Sequence, residues 1–126
     1  MTKINGQTRI VGVIGDPVQH SRSPQMHNAA ILERKLDYVY VPFHVRSGEL
    51  QEAIEGFKAL NVLGVNVTIP HKQTVMSILD DVSHEATLIG AANTLIFCDG
   101  RVSGDNTDAQ GFLRAMTEEG IDIPVG

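Results

Sequence analysis

Apolar residues follow two alternating rhythms along this chain. Arg9-Ile-Val-Gly-Val-Ile-Gly15 is a short, β-branched, almost continuously apolar run ending in glycine, the pattern of a strand buried on both faces of a sheet. After the polar stretch Asp16 to Arg22 comes Ser23-Pro24, where serine can cap a helix and proline can take its first position. This predicts a helix to about Leu36. Tyr38 to Val45 returns to aromatic and β-branched residues and predicts a second strand. From Ser47 onward Leu50, Ala53, Ile54, Phe57 and Leu60 fall at helical spacing. Val62 to Thr68 is another apolar strand, stopped by Pro70, and Gln73 to Leu79 and His84 to Ile89 predict two short helical pieces. Asn93 to Phe97 predicts a fourth strand. Asp99-Gly100 is a hairpin-type turn into a brief return strand, Arg101 to Ser103. Asp105 to Thr107 can cap a last helix to about Glu119, before Gly120 and Pro124 end regular structure.

Alternating strands and helices imply an α/β fold: a three-layer α/β/α arrangement with a mostly parallel twisted sheet and one antiparallel hairpin element. No linker or repeat divides the chain, so residues 1–126 are expected to form one domain. In such sheets ligands bind beyond the carboxyl ends of the strands. The formal net charge of −5 excludes a broadly basic nucleic-acid binder. The single cysteine, Cys98, can form no intrachain disulfide, which favours a reducing cytoplasm. The apolar stretch Ile10 to Ile14 is cut off by Asp16 and Pro17, too soon for a signal-peptide core or a membrane span.

Absent motifs narrow the chemistry. No two glycines lie two positions apart, so the dinucleotide fingerprint G-x-G-x-x-G occurs nowhere. No Gly-Lys pair exists for a Walker A loop, no His or Cys spacing suits zinc, and no G-x-S-x-G elbow is present. The polar clusters instead fall at predicted strand ends: His20-Ser-Arg-Ser23, Asn66 to Lys72, and Asp105-Asn-Thr-Asp108. Ser21 and Ser23 stand at a helix start, whose unpaired N–H groups and dipole favour a carboxylate. Their plainer reading is an N-cap at Ser23 and a solvated Ser21. Asn66 and Thr68 project from one face of a strand end, and Pro70 turns the chain toward Lys72, which after such a turn can point into the cleft. A lysine there can protonate a developing alkoxide, with Asp108 orienting it and sharing the proton transfer. The plainer readings are a solvated Lys72, Asp105 and Asp108 as helix-starting acids, Asn93 and Thr94 as turn residues, and His20 and His27 as structural.

Taken together, Gly15-Asp-Pro-Val-Gln-His-Ser-Arg-Ser-Pro-Gln-Met-His-Asn28, Asn66-Val-Thr-Ile-Pro-His-Lys72, Gly90-Ala-Ala-Asn-Thr94 and Gly104-Asp-Asn-Thr-Asp-Ala-Gln-Gly-Phe112 closely resemble shikimate dehydrogenase. That family reduces 3-dehydroshikimate to shikimate with NADPH. The resemblance implies that Ser21 and Ser23 hold the substrate carboxylate and that Asn66, Thr68, Asn93 and Thr107 surround the ring hydroxyls. It implies that Lys72 and Asp108 form the catalytic pair. It further implies that this chain is the N-terminal, substrate-binding half, with the NADP-binding Rossmann half missing. The isolated chain is thus expected to bind shikimate without turnover and to bind no cofactor and no metal. The expected partner is this small molecule, with no nucleic acid and no membrane; a homodimer is compatible with the sequence. A quinate/shikimate dehydrogenase and a non-catalytic shikimate-binding module are the alternatives, with a phosphate or nucleotide binder on the Ser23 helix a distant third.

Overall fold

β-branched runs and helical periodicities become elements with few changes of boundary in the computed structural model, which describes residues 3–107 and 109–122. Strand β1 (Arg9–Gly15) leads to helix α1 (Ser23–Glu33), β2 (Tyr38–His44), α2 (Leu50–Ala59) and β3 (Gly64–Val67). There follow α3 (His71–Thr74), a 3-10 turn (Val75–Ile78), β4 (Asp81–Val82), α4 (His84–Ile89), β5 (Thr94–Cys98), β6 (Arg101–Asp105) and α5 (Ala109–Asp122).

The six strands lie in the order β2-β1-β3-β5-β6-β4. Pairs β1/β2, β1/β3 and β4/β6 are parallel; β5 runs antiparallel to both β3 and β6. The reversal is local: Asp99 and Gly100, with φ of 55° and 76°, form the two-residue turn that joins β5 to β6, and positive φ at both matches the twist of a hairpin. The sheet is therefore mostly parallel with one hairpin, as the sequence predicts.

Side chains on β1 alternate between the two faces and feed two cores. Ile14 packs with Val65, Val67, Leu95 and Phe97 beneath Ile54 and Phe57 of α2. Val11 and Val13 pack with Tyr38, Tyr40 and Leu63 beneath Ile31 of α1 and Phe112, Leu113 and Met116 of α5. These are the three layers. Gly64 is required for the second core to close. A Cβ there would strike the Met116 sulfur and lie 2.7 Å from the Leu95 carbonyl oxygen.

Several boundaries differ from expectation, each for a local reason. The residue preceding α1 is Arg22, with Ser23 inside the first turn, so Ser23 is not the cap. That helix stops at Glu33 because Lys35 takes a left-handed φ of 57°. The second helix starts at Leu50 rather than Ser47, behind Gly48 with φ of 94°. Asp105 ends β6 and cannot cap α5, which begins at Ala109. The two-residue β4 was not anticipated; too short for any periodicity, it exists by pairing with Ser103 and Gly104. On edge strand β2, the Asn28 carboxamide donates to the Tyr40 carbonyl and accepts from its N–H, both at 2.9 Å. Backbone groups that would otherwise be unpaired on that edge are thereby satisfied.

Candidate functional site

Reversal of β5 gathers the candidate residues. Because β5 runs opposite to β3 and β6, its beginning lies where those strands end, and the register sets Asn66 beside Thr94 and Thr94 beside Asp105. Asn66 faces the same side of the sheet as Val13, its partner on β1. Asn93, just before β5, binds back to both neighbours: its carbonyl accepts from Val67 N–H at 2.9 Å, and its N–H donates to the Asp105 carbonyl at 3.0 Å.

The Asn93 side chain is already engaged. Its Nδ2 donates to the Thr107 carbonyl at 2.6 Å and its Oδ1 accepts from the Thr107 N–H at 2.8 Å. Thr94, fully buried, donates its hydroxyl to Asn93 Oδ1 at 3.0 Å and lies 2.7 Å from the Thr107 hydroxyl. A turn role for Thr94 is thus replaced by a structural one at the strand start. Asn93 holds the segment that carries Thr107 and retains one Nδ2 hydrogen for a ligand. Asp105 accepts from the Ser83 hydroxyl and the Asn106 N–H, both at 2.7 Å, tying α4 to the same loop.

Asn66 joins this group through an unforeseen residue. The Tyr40 hydroxyl, reaching over from β2, donates to Asn66 Oδ1 at 2.6 Å. Tyr40 is almost wholly buried, stacked on His27 at 4.4 Å between ring centroids and met edge-on by Phe112. Burial pushes its phenol pKa up, and the neighbouring Ser23 hydroxyl opposes the rise by hydrogen bonding. In the sequence Tyr40 is one aromatic of the strand Tyr38 to Val45, with no sign of a polar task.

Ser21 and Ser23 stand together at the start of α1. The Ser23 N–H donates to Ser21 Oγ at 3.2 Å, and the His27 ring, bonded through Nδ1, holds the Ser23 carbonyl at 3.0 Å. A carbonyl only accepts, so Nδ1 carries the proton. No acidic residue lies in the first turn of α1. A cavity of about 330 Å³, lined by Gln19, His20, Ser21, Arg22 and Gln25, opens beside it. His27 is buried and His20 is exposed.

Lys72 lies exposed in α3, and its carbonyl accepts from Ala92 N–H at 3.0 Å, which places it one residue from Asn93. Among the described residues no ion pair engages its ammonium. The adjoining His71 is buried and bonded through Nε2 to the Val45 carbonyl at 2.6 Å, fixing the turn from below. Thr68 is half-buried; its hydroxyl occupies the space a side chain at Gly15 would need, 2.7 Å from a Cβ there. Asp108, the expected partner of Lys72, lies outside the described residues, next to the Thr107 that Asn93 holds. Thr107 also borders a groove of about 440 Å³ lined by Glu85, Asp105, Asn106, Gly111, Arg114 and Ala115.

The turn after β1 does not suit the pyrophosphate of NADP. A pyrophosphate needs a glycine-rich turn between a strand and a helix N-terminus. The turn after β1 carries Asp16 directly behind Gly15, and His44 at 2.7 Å holds that carboxyl below the usual range and thus ionised. An ionised carboxylate there repels phosphate. Among the described residues no group of three or more His, Cys, Asp or Glu side chains could hold a metal ion, and no helix is long and apolar enough to cross a membrane.

Residues 13–95 match the family described as the shikimate dehydrogenase substrate binding domain. The chain is 54% identical to the shikimate dehydrogenase (NADP(+)) of Methanothermobacter thermautotrophicus, over 91% of its own length and 41% of that protein. To the enzyme of the same name from Desulforamulus reducens it is 49% identical, over 98% of this chain and 43% of the other. Among solved structures, shikimate 5-dehydrogenase from Listeria monocytogenes in complex with shikimate and NAD superposes with a TM-score of 0.81 at 42% identity, covering 95% of this chain and 42% of that one. The chain spans about two fifths of the length of the relatives it matches. With its sheet order, its serine-bearing helix start and the Asn66 to Lys72 loop inside the matched span, the chain belongs to the shikimate dehydrogenase substrate-binding domain family.

Proposed function

We propose that this chain is the substrate-holding and proton-handling part of an NADP-dependent shikimate dehydrogenase, working on 3-dehydroshikimate and shikimate in the cytoplasm. The observation that carries the reading is the convergence of Asn66, Asn93 and Thr107 on one hydrogen-bonded row at the strand ends, with Lys72 tethered beside it. Such a row suits a ring bearing several hydroxyls, because each amide and hydroxyl can donate to or accept from an oxygen in a fixed place. The acid-free start of α1, with Ser21 and Ser23, suits the carboxylate of the same molecule. An acidic protein thereby holds an acidic ligand locally.

In this reading Ser21 and Ser23 take the carboxylate, and Asn66, Thr68, Asn93 and Thr107 take the ring hydroxyls. Lys72, with Asp108, gives up or takes the proton at the oxygen whose carbon is reduced or oxidised. Hydride chemistry would belong to NADP, and a nucleotide-binding domain would supply its site. Domain 1–126 then acts as the wall that orients the substrate. The alternatives are narrowed by substrate: quinate carries an extra hydroxyl on the ring carbon that bears the carboxylate, where shikimate has a ring double bond, so the two differ at the end assigned to Ser21 and Ser23.

Titration of shikimate into the chain, followed by ¹⁵N NMR, tests the binding reading. Expected are shifts at Ser21, Asn66, Lys72 and Thr107; a spectrum unchanged at millimolar shikimate overturns it. Quinate binding more tightly than shikimate favours the quinate alternative. For the chemistry, Lys72→Ala in this chain joined to a nucleotide-binding domain should lower kcat by about 10² to 10⁴. Near-normal kcat would remove Lys72 from the reaction, and no turnover in the unaltered fusion would favour the binding module.

A further inference from the structure

We propose that Tyr40 is a positioning residue that, with the Asn93 carbonyl, holds the Asn66 carboxamide in one orientation, making that place in the cleft a hydrogen-bond donor that selects a ligand oxygen. Register brings the two together: Tyr40 lies opposite Val11 and Asn66 opposite Val13 on the strand between them, on one face of the sheet. The phenol thus spans β1 and donates to Asn66 Oδ1 at 2.6 Å.

The direction of that bond follows from the surroundings. Asn66 Nδ2 faces the Asn93 carbonyl at 3.5 Å, and a flipped amide would set two acceptor oxygens against each other there. Oδ1 therefore meets the phenol, whose single proton goes to it. One Nδ2 hydrogen is directed at Asn93, and the second is left for a ligand acceptor. Tyr40 itself has little freedom, being buried, stacked on His27 with ring planes 6° apart and bordered by Phe112. A ring that merely filled the core would need no such hydroxyl.

The ligand side of this inference rests on the reading of the cleft as a site for a hydroxylated ring acid; the amide side does not. Tyr40→Phe keeps the ring stack and removes the bond. In the unliganded chain the Asn66 side-chain amide protons should shift and broaden while backbone amides away from the site stay in place. Shikimate should then bind roughly fivefold to tenfold more weakly, whereas cyclohexene-1-carboxylate, which keeps the carboxylate and lacks the hydroxyls, should bind as it does to the unaltered chain. Unmoved Asn66 amide signals overturn the proposal, as does equal weakening of both ligands, which marks a purely structural role. If the unaltered chain ignores shikimate but the Asn66 signals still move, the positioning role stands and the functional reading falls. Should Tyr40→Phe not fold, 3-fluorotyrosine at position 40 retains the hydroxyl. Its ¹⁹F signal must then move on Asn66→Ala, and a static signal overturns the proposal.

Discussion

Ser21 is bonded within the helix start and still has a proton to give. Its Oγ accepts from the Ser23 N–H at 3.2 Å, leaving its own proton for an incoming carboxylate. A charge-assisted bond of that kind contributes roughly 1.5 to 3 kcal/mol, so Ser21→Ala should weaken shikimate binding about tenfold or more. Calorimetric titration reads this directly, and unchanged affinity would take Ser21 out of the site. The residue types and their place at a helix start were legible from Ser21-Arg-Ser-Pro24. The true boundary, with Arg22 outside the helix and Ser23 within it, was not, because serine and proline suit several positions of a first turn equally. Asn93 was legible as polar but not as occupied: its bonds are to the backbone of Thr107, fourteen residues away.

At the scale of elements, the close approach of α5 to β3 depends on the absence of a side chain at Gly64. Gly64→Ala would force Met116 aside and press on the Leu95 carbonyl, which cannot yield without disturbing β5. Overpacking of this kind costs roughly 1 to 3 kcal/mol. The expected outcome is a lower urea midpoint with an unchanged m-value; a midpoint equal to that of the unaltered chain would show that Met116 gives way freely. Strands β1, β2 and β5 were readable because buried strands are apolar runs of a recognisable length. Strand β4 was not, since Asp81 and Val82 hold a strand conformation only through their partners on β6.

Across the whole molecule, two cores on opposite faces of the sheet hold the strand ends in place, and charge sets the response to pH. His44 beside Asp16, and the Val102 N–H together with Lys58 beside Asp80, hold both carboxyls below the usual aspartate value of 3.8. Depressed carboxyls bind fewer protons in the folded state, so their contribution is present above that value and is lost as pH falls through the lowered ones. The phenols of Tyr38 and Tyr40 are raised by burial above the usual 10.0. Folding then holds their protons more tightly, and stability should decline as pH rises from 10 toward the raised values. Denaturant unfolding at pH 9 to 11 should show this decline, and Tyr40→Phe should make it shallower; an identical slope would contradict the assignment. The second expectation at this scale concerns turnover. With no G-x-G-x-x-G run in its sequence, the 126-residue chain mixed with shikimate and NADP should produce no absorbance at 340 nm while shikimate still shifts its NMR signals. Clear NADPH formation would refute this division of labour.

Local residue choice determined the alternation of strands and helices, the Asp99-Gly100 turn, the lack of a glycine fingerprint and the chemistry available in Ser21, Asn66, Lys72 and Thr107. These follow from properties each segment carries alone: periodicity, turn propensity and functional groups. Tertiary structure decided the rest. The direction of β5 relative to β3 put Asn93 and Thr107 beside Asn66, and the register of β1 with its two neighbours put the Tyr40 phenol against the Asn66 amide. Pairing between strands far apart in the chain is settled by which faces can be buried together. No single segment contains that information.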